Sequence, residues 1–86
     1  MKKGIAGTIE SNDVKITVEE ANELTITIES IVYEFYGEQI KKTIMTTLQE
    51  LGINQVHVLV QDKGALDYTI KSRLITAIER MRENNE

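Results

Sequence analysis

Few residues of this 86-residue chain could take part in chemistry. The sequence contains no cysteine and a single histidine, His57. Without cysteine the chain can form no disulfide, no thiolate metal site and no cysteine nucleophile, and it has no thiol of its own to carry an acyl group. Any thioester chemistry would therefore need a sulfur supplied from outside the chain.

His57 is the only candidate for an imidazole base, and the sequence gives it no partners. It alternates with valines in a β-strand pattern, so it is predicted to point away from the core. A catalytic triad or a histidine metal site would need further groups that this position does not offer. The acidic Glu19, Glu20 and Glu23 lack calcium-loop spacing, and no nucleotide-binding glycine motif occurs. We therefore expect no catalytic residue and no metal.

The three serines are candidate attachment points, and each also has a structural explanation. Ser72 falls inside a predicted helix, where it is expected on the surface. Ser30 precedes a helical pattern and is expected to act as its N-cap. Ser11 begins a polar Ser-Asn-Asp turn between two strand patterns, which should expose its hydroxyl. On physical grounds alone, Ser11 would be an ordinary turn serine.

Four segments carry the pattern of β-strands. In three of them, residues 14–18, 24–28 and 56–60, apolar and polar residues alternate as in strands with one buried face. A weaker candidate covers residues 5–10. Short polar turns connect the three strands that come first along the chain, at residues 5–10, 14–18 and 24–28. These strands are therefore expected to form an antiparallel meander with Ser11 at the tip of its first hairpin.

Two segments, residues 32–51 and 66–81, have apolar residues at helical spacing. Gly52 is placed to end the first helix, and Gly37 favours a short helical turn at residues 31–36 before a longer helix. The aromatic residues at this helix start are expected to pack in the core and at its rim, and a recognition patch is the less favoured alternative: Tyr33, Phe35 and Tyr36. The order βββαβα predicts an α+β, two-layer domain, a mostly antiparallel sheet of about four strands with both helices on one face.

Length and charge limit the domain organisation and the class of partner. Residues 1–86 can build one modest core and are expected to form a single domain, with residues 82–86 frayed. The net charge is −4, and residues 1–38 hold eight acidic residues against three lysines. Scattered basic residues argue against a nucleic-acid partner, and no apolar run could span a membrane. No signal-peptide pattern is present, so a cytoplasmic location is expected.

Two runs of sequence resemble the acyl carrier (gamma) subunit of citrate lyase. They read AGTIESNDV at residues 6–14 and DKGALD at residues 62–67. That family has an A-G-T-x-E-S-x-D-V stretch near its start, a central helix with a glycine, matched here by Gly37, and a D-K-G-A-L-D run before its last helix. Because the order of segments also agrees, the resemblance spans nearly the whole chain.

The resemblance implies that Ser11 bears 2′-(5″-phosphoribosyl)-3′-dephospho-coenzyme A through a phosphodiester, which makes the chain a non-catalytic phosphoprotein of citrate fermentation. The thiol of this group would carry acetyl and citryl as thioesters. An alpha subunit would exchange acetyl for citryl and release acetate, and a beta subunit would then release oxaloacetate and regenerate the acetyl form. A prosthetic-group transferase and an acetylating ligase are the other partners implied.

Acidic residues in both runs also suggest physical roles. Glu10 and Asp13 are expected to repel the polyanionic prosthetic arm and to keep it off the carrier. Asp67 is a candidate N-cap of the last helix, and the glycine of the 62–67 run suits a strand-to-helix turn. A structural role is therefore at least as well supported for this run as docking to a partner.

Two other functions remain open from the sequence. One is the carrier subunit of a malonate decarboxylase, which uses the same type of arm, although the run at residues 62–67 favours citrate lyase. The other is a non-covalent adaptor domain that docks onto an enzyme. Catalysis by the isolated chain is disfavoured, because no acid, base and nucleophile can be assembled from these residues.

Overall fold

The computed structural model describes residues 2–84, which form four strands and two helices in the predicted order βββαβα. The elements are β1 (Lys3–Gly7), β2 (Val14–Glu20), β3 (Leu24–Ser30), α1 (Tyr33–Glu50), β4 (Val56–Asp62) and α2 (Asp67–Glu83). β1 therefore lies earlier in the chain than the predicted segment 5–10. Residues 85 and 86, part of the end expected to fray, lie outside the described residues. The predicted α+β class is confirmed.

The sheet has the strand order β1-β2-β4-β3. β1 and β2 form the predicted antiparallel hairpin, and β4 is antiparallel to β2 but parallel to β3. The predicted meander was wrong, because β4 separates β2 from β3. Helix α1 provides the long crossover that a parallel β3–β4 pair requires. The valine-rich β4 takes a central position, whereas β3, with its threonines and glutamate, lies at an edge.

One face of the sheet carries both helices and the core, as predicted. α2 packs over β1 and β2, and α1 packs against β3 and α2. The largest fully buried apolar side chains come from β2, β4 and the two helices: Val14, Ile16, Val18, Val56, Val58, Val60, Ile44, Leu48, Ile70, Leu74 and Ile78. The opposite face is open, and His57 is exposed on it as expected.

Helix α1 is continuous from Tyr33 to Glu50, so the predicted break near Gly37 was wrong. Gly37 is buried beneath the ring of Tyr33, and a Cβ at this position would lie 2.8–2.9 Å from three ring carbons. Residues four apart share a helix face, so the glycine leaves room for the ring rather than ending the helix. Gly52, with a φ of +70°, does follow the helix end as predicted.

Candidate functional site

The sheet register brings three loops to one end of the molecule. Val14 at the start of β2 and Ser30 at the end of β3 both pair with Asp62 at the end of β4. The β1–β2 hairpin tip, the β3–α1 connection and the β4–α2 connection therefore lie together. We call this region the Ser11 end, and it comprises residues 8–13, 30–38 and 62–68.

Ser11 is exposed at the tip of the β1–β2 hairpin. The backbone N–H of Asp13 donates to the carbonyl of Glu10 (3.1 Å) and closes the turn around it. Asn12 has a φ of +66°, a left-handed conformation that asparagine tolerates better than most residues. Within residues 2–84 the Ser11 hydroxyl has no hydrogen-bond partner. The turn thus presents a hydroxyl that an enzyme could reach.

The carboxylate of Asp13 holds this turn from its inner side. It accepts hydrogen bonds from Thr8 Oγ1 (2.7 Å) and the backbone N–H of Val14 (2.7 Å), and from Arg73 Nε (3.2 Å) and Nη2 (3.0 Å). The Thr8 bond, the Val14 bond and then Arg73 hold the pKa of Asp13 down at about 2. Because Arg73 compensates the charge of Asp13, any repulsion of a polyanionic arm falls mainly to Glu10.

Asp13→Asn should weaken the hairpin and change the acid sensitivity of the fold. The pKa of Asp13 is depressed to about 2, so its stabilisation is complete above the unfolded pKa of about 4 and is lost as the pH falls towards 2. We expect the free energy of unfolding at pH 7 to drop by about 1–2 kcal/mol, since the carboxylate is partly solvated. Urea unfolding at several pH values measures this loss.

The matched control is Glu10→Gln, because Glu10 lies in the same turn and forms no ion pair among residues 2–84. This variant should change the free energy of unfolding by less than about 0.5 kcal/mol. If Asp13→Asn kept the wild-type decline in stability between pH 4 and pH 2, the role given to Asp13 would be wrong.

The run at residues 62–67 is joined to the tip of the β1–β2 hairpin by backbone hydrogen bonds. The N–H of Asn12 donates to the carbonyl of Lys63 (2.8 Å), and the N–H of Lys63 donates to the carbonyl of Asp13 (2.9 Å). Gly64 then adopts a φ of +95°, which favours glycine, while space around it is open apart from Asn12 Oδ1. The turn that bears Ser11 is therefore fixed from two sides.

Asp62 links the ends of β3 and β4 to the start of both helices. It is only 1% exposed and accepts hydrogen bonds from Ser30 Oγ (2.7 Å) and the N–H of Ala65 (2.9 Å). Ser30 Oγ in turn accepts from the N–H of Val32 (3.1 Å). The helix-facing stripe of β4 continues through position 62, so a carboxylate there needs such partners.

Ser30 and Asp67, the two predicted N-caps, do not cap their helices. Val32 occupies the N-cap of α1, because Ser30 still belongs to β3 and its hydroxyl donates to Asp62. Asp67 is the first residue of α2 rather than its cap, and its carboxylate accepts from Gln39 Nε2 (3.0 Å). Both residues instead connect neighbouring elements at the Ser11 end.

The aromatic residues at the start of α1 do not pack in the core, contrary to expectation. Tyr33, Phe35 and Tyr36 are 52%, 79% and 57% exposed. They occupy the first turn of α1, just beyond the point at which β3 ends, so little of the sheet lies beneath them. An open groove of about 420 Å³ separates α1 from the β4–α2 connection, and its lining includes Tyr36, Ile40, Gly64, Ala65 and Leu66.

No other chemical site emerges from the described part of the chain. Within residues 2–84, no three histidine, aspartate or glutamate side chains are grouped so that they could hold a metal ion. Across the same residues, neither helix has the length and apolar character needed to cross a membrane.

Comparison with known proteins gives the family. A family model described as malonate decarboxylase delta subunit (MdcD) matches residues 1–81. The citrate lyase acyl carrier protein of Fusobacterium nucleatum is 45% identical over 85 residues, which cover 96% of this chain and 90% of that protein. The one from Halothermothrix orenii is 44% identical over 82 residues, which cover 94% and 87%. The chain belongs to the citrate lyase acyl carrier protein family. The resemblance seen in the two runs is thus confirmed.

A solved structure shares the fold of this chain. One chain in the crystal structure of a Pseudomonas malonate decarboxylase hetero-tetramer in complex with malonate superimposes with a TM-score of 0.81. The match covers 93% of this chain and 84% of that one. Because the sequences are only 16% identical, this likeness concerns the fold alone.

Proposed function

We propose that this chain is the acyl carrier subunit of a citrate lyase complex and that Ser11 is its attachment point. The observation that carries the proposal is the exposed hydroxyl of Ser11, which has no hydrogen-bond partner among residues 2–84, on a turn fixed by Asp13 and Lys63. The names of relatives that are about 45% identical over most of the chain support the carrier role.

The proposed prosthetic group is 2′-(5″-phosphoribosyl)-3′-dephospho-coenzyme A, bound through a phosphodiester. The residues at Ser11 fit such a link, because an exposed hydroxyl at a hairpin tip lets a long substituent extend into solvent. When bound, the group supplies a thiol that carries acetyl and citryl as thioesters during cleavage of citrate to oxaloacetate and acetate. The chain, which has no cysteine, has no thiol of its own to compete with it.

Once Ser11 is loaded, the chain's own residues take no part in acyl transfer under this proposal. They hold the attachment point in a defined place, so that a tethered acyl group meets each active site as an intramolecular reactant. The proposed partners are the alpha and beta subunits, a prosthetic-group transferase and an acetylating ligase, all in the cytoplasm.

A carrier subunit of a malonate decarboxylase-type complex is the second candidate. The description of the family model, malonate decarboxylase delta subunit, favours it. The names of the more similar relatives favour citrate lyase.

Acyl exchange on the loaded carrier distinguishes the two candidates. The acetylated holo form is mixed with the alpha subunit of the same organism and with either citrate or malonate, and the intact mass of the carrier is recorded. We expect the mass of the acetyl form to be replaced by that of the citryl form with citrate only. Exchange with malonate alone would contradict the proposal and support the second candidate.

A further inference from the structure

The Ser11 end exposes an unusual share of the chain's large apolar side chains. Among residues 2–84, nine such side chains are exposed, and six of them lie in the β3–α1 and β4–α2 connections and the first turns of the helices. We call these six the aromatic surface: Ile31, Tyr33, Phe35, Tyr36, Leu66 and Tyr68. All four aromatic residues of the chain belong to it.

The aromatic surface is not needed to complete the core. The buried stripes of α1 and α2 consist of other residues, and Phe35 and Tyr68 are 79% and 72% exposed. Exposed apolar patches of this kind in soluble proteins usually mark interaction sites, and tyrosine and phenylalanine are enriched in protein interfaces. Tyr36 and Leu66 line the groove of about 420 Å³, which joins the α1 and α2 parts of the surface.

The groove begins one residue away from Ser11. Gly64 contributes to its lining, and a Cβ added to Gly64 would lie 3.5 Å from Asn12 Oδ1. The backbone bond between Asn12 and Lys63 fixes this distance. Ser11 and the aromatic surface are therefore neighbours at the same end of the molecule.

The charges around the surface indicate the chemistry of its partner. Four exposed acidic side chains lie at the Ser11 end, and none forms an ion pair among residues 2–84: Glu10, Glu34, Glu38 and Asp67. Lys63 is the only basic residue in the sequence ranges that define this end. The acidic residues in the first helical turns also suit the helix dipoles, but Glu38 lies further along α1. The net negative charge fits a partner with a basic rim.

We propose that the aromatic surface is the docking site for a catalytic subunit of the complex, which inserts an apolar side chain into the groove inside a rim of lysine or arginine. This inference rests on the proposed carrier function and adds the surface through which the carrier meets its enzymes. Central aromatic residues dominate the affinity of such interfaces, while rim charges mainly set the rate of association.

The test uses the unmodified chain and the purified alpha and beta subunits, so that the prosthetic group does not contribute to binding. The double variant Phe35→Ala/Tyr68→Ala should raise the Kd for one or both subunits by at least about tenfold in calorimetric titration. Urea unfolding should show unchanged stability, because both side chains are largely exposed. The control is Leu24→Ala, an exposed apolar residue at the opposite end of β3, which should leave the Kd unchanged.

A charge variant tests the rim separately. Glu34→Lys/Glu38→Lys should slow association and reduce its dependence on salt, whereas Glu79→Lys, an exposed change in the later part of α2, should not. This result would support a basic partner. Equal effects of the two charge variants would contradict it.

Three outcomes would overturn the docking proposal. The first is an unchanged Kd for both subunits in the double variant. The second is a set of NMR shift changes over the aromatic surface when the prosthetic group alone is attached, which would assign the surface to the arm. The third is a wild-type chain that forms dimers in solution while the double variant is monomeric, which would assign the surface to a second copy of the chain. Failure of the carrier function appears separately, as a chain that remains unmodified at Ser11 in intact-mass measurements.

Discussion

Ser11→Ala is expected to abolish covalent loading of the chain and, with it, acyl transfer by the reconstituted complex. The chain has no cysteine that could replace the thiol of a prosthetic group. The fold should remain intact, with a change in the free energy of unfolding below about 0.5 kcal/mol, because the hydroxyl removed is exposed and forms no hydrogen bond with residues 2–84. Intact mass, activity of the reconstituted complex and urea unfolding measure the three effects.

Ser72→Ala provides the matched control, since Ser72 is another exposed serine, located on α2. It should load and support activity like the wild type. Covalent loading of Ser11→Ala would show that the attachment point lies elsewhere. An unfolded Ser11→Ala chain would show that Ser11 has a structural role that its contacts do not indicate.

Asp62→Ala should cause the largest loss of stability among the polar residues of the Ser11 end. The carboxylate is buried, and its removal leaves Ser30 Oγ and the N–H of Ala65 without their acceptor. Hydrogen bonds to a charged group stabilise a fold by about 1.5–3 kcal/mol each, so we expect a loss of about 3 kcal/mol or more in urea unfolding. This is a large part of the stability of a small domain.

Two further variants separate the role of Asp62 from the loss of any carboxylate in the run. Asp67→Ala removes an exposed carboxylate that accepts a hydrogen bond from Gln39, and it should cost less than about 1 kcal/mol. Asp62→Asn keeps an acceptor for Ala65 and should give an intermediate loss. Equal losses for Asp62→Ala and Asp67→Ala would contradict the structural role of Asp62.

Strand and helix positions were largely predictable, because the period of apolar residues reports which side of an element is buried. The identity of the neighbouring strand was not predictable in the same way. The pattern of β3 gives its buried face but does not indicate whether β2 or β4 lies beside it. The parallel pairing with β4 depends on the crossover through α1, a tertiary arrangement that the short polar turn before β3 does not reveal.

Local propensity also failed where a distant or neighbouring side chain decided the outcome. Gly37 is unfavourable in a helix by itself, yet the ring of Tyr33 packs over it and α1 continues. Ser30 has the residue type of an N-cap, but its partner Asp62 lies 32 residues further along the chain. A signal for Asp62 was present, because an aspartate continues the alternating stripe of buried valines in β4.

The candidate site was predictable in part. Turn chemistry gave the exposed position of Ser11, and the resemblance of two runs to a known family gave its expected role. Arg73 was missed, since it lies 60 residues from its partner Asp13 and nothing in its helical context indicates the pair. A recognition patch at Tyr33, Phe35 and Tyr36 was the less favoured interpretation, because helical spacing does not show that the sheet ends before the first turn of α1.

Intact-mass measurement of this chain, purified from its native cells while they degrade citrate, tests the carrier function most directly. We predict a covalent adduct with the mass of the phosphoribosyl-dephospho-coenzyme A group, which peptide fragmentation assigns to Ser11. A fully unmodified chain from such cells, or an adduct on another residue, would contradict the assignment of Ser11 as the attachment point.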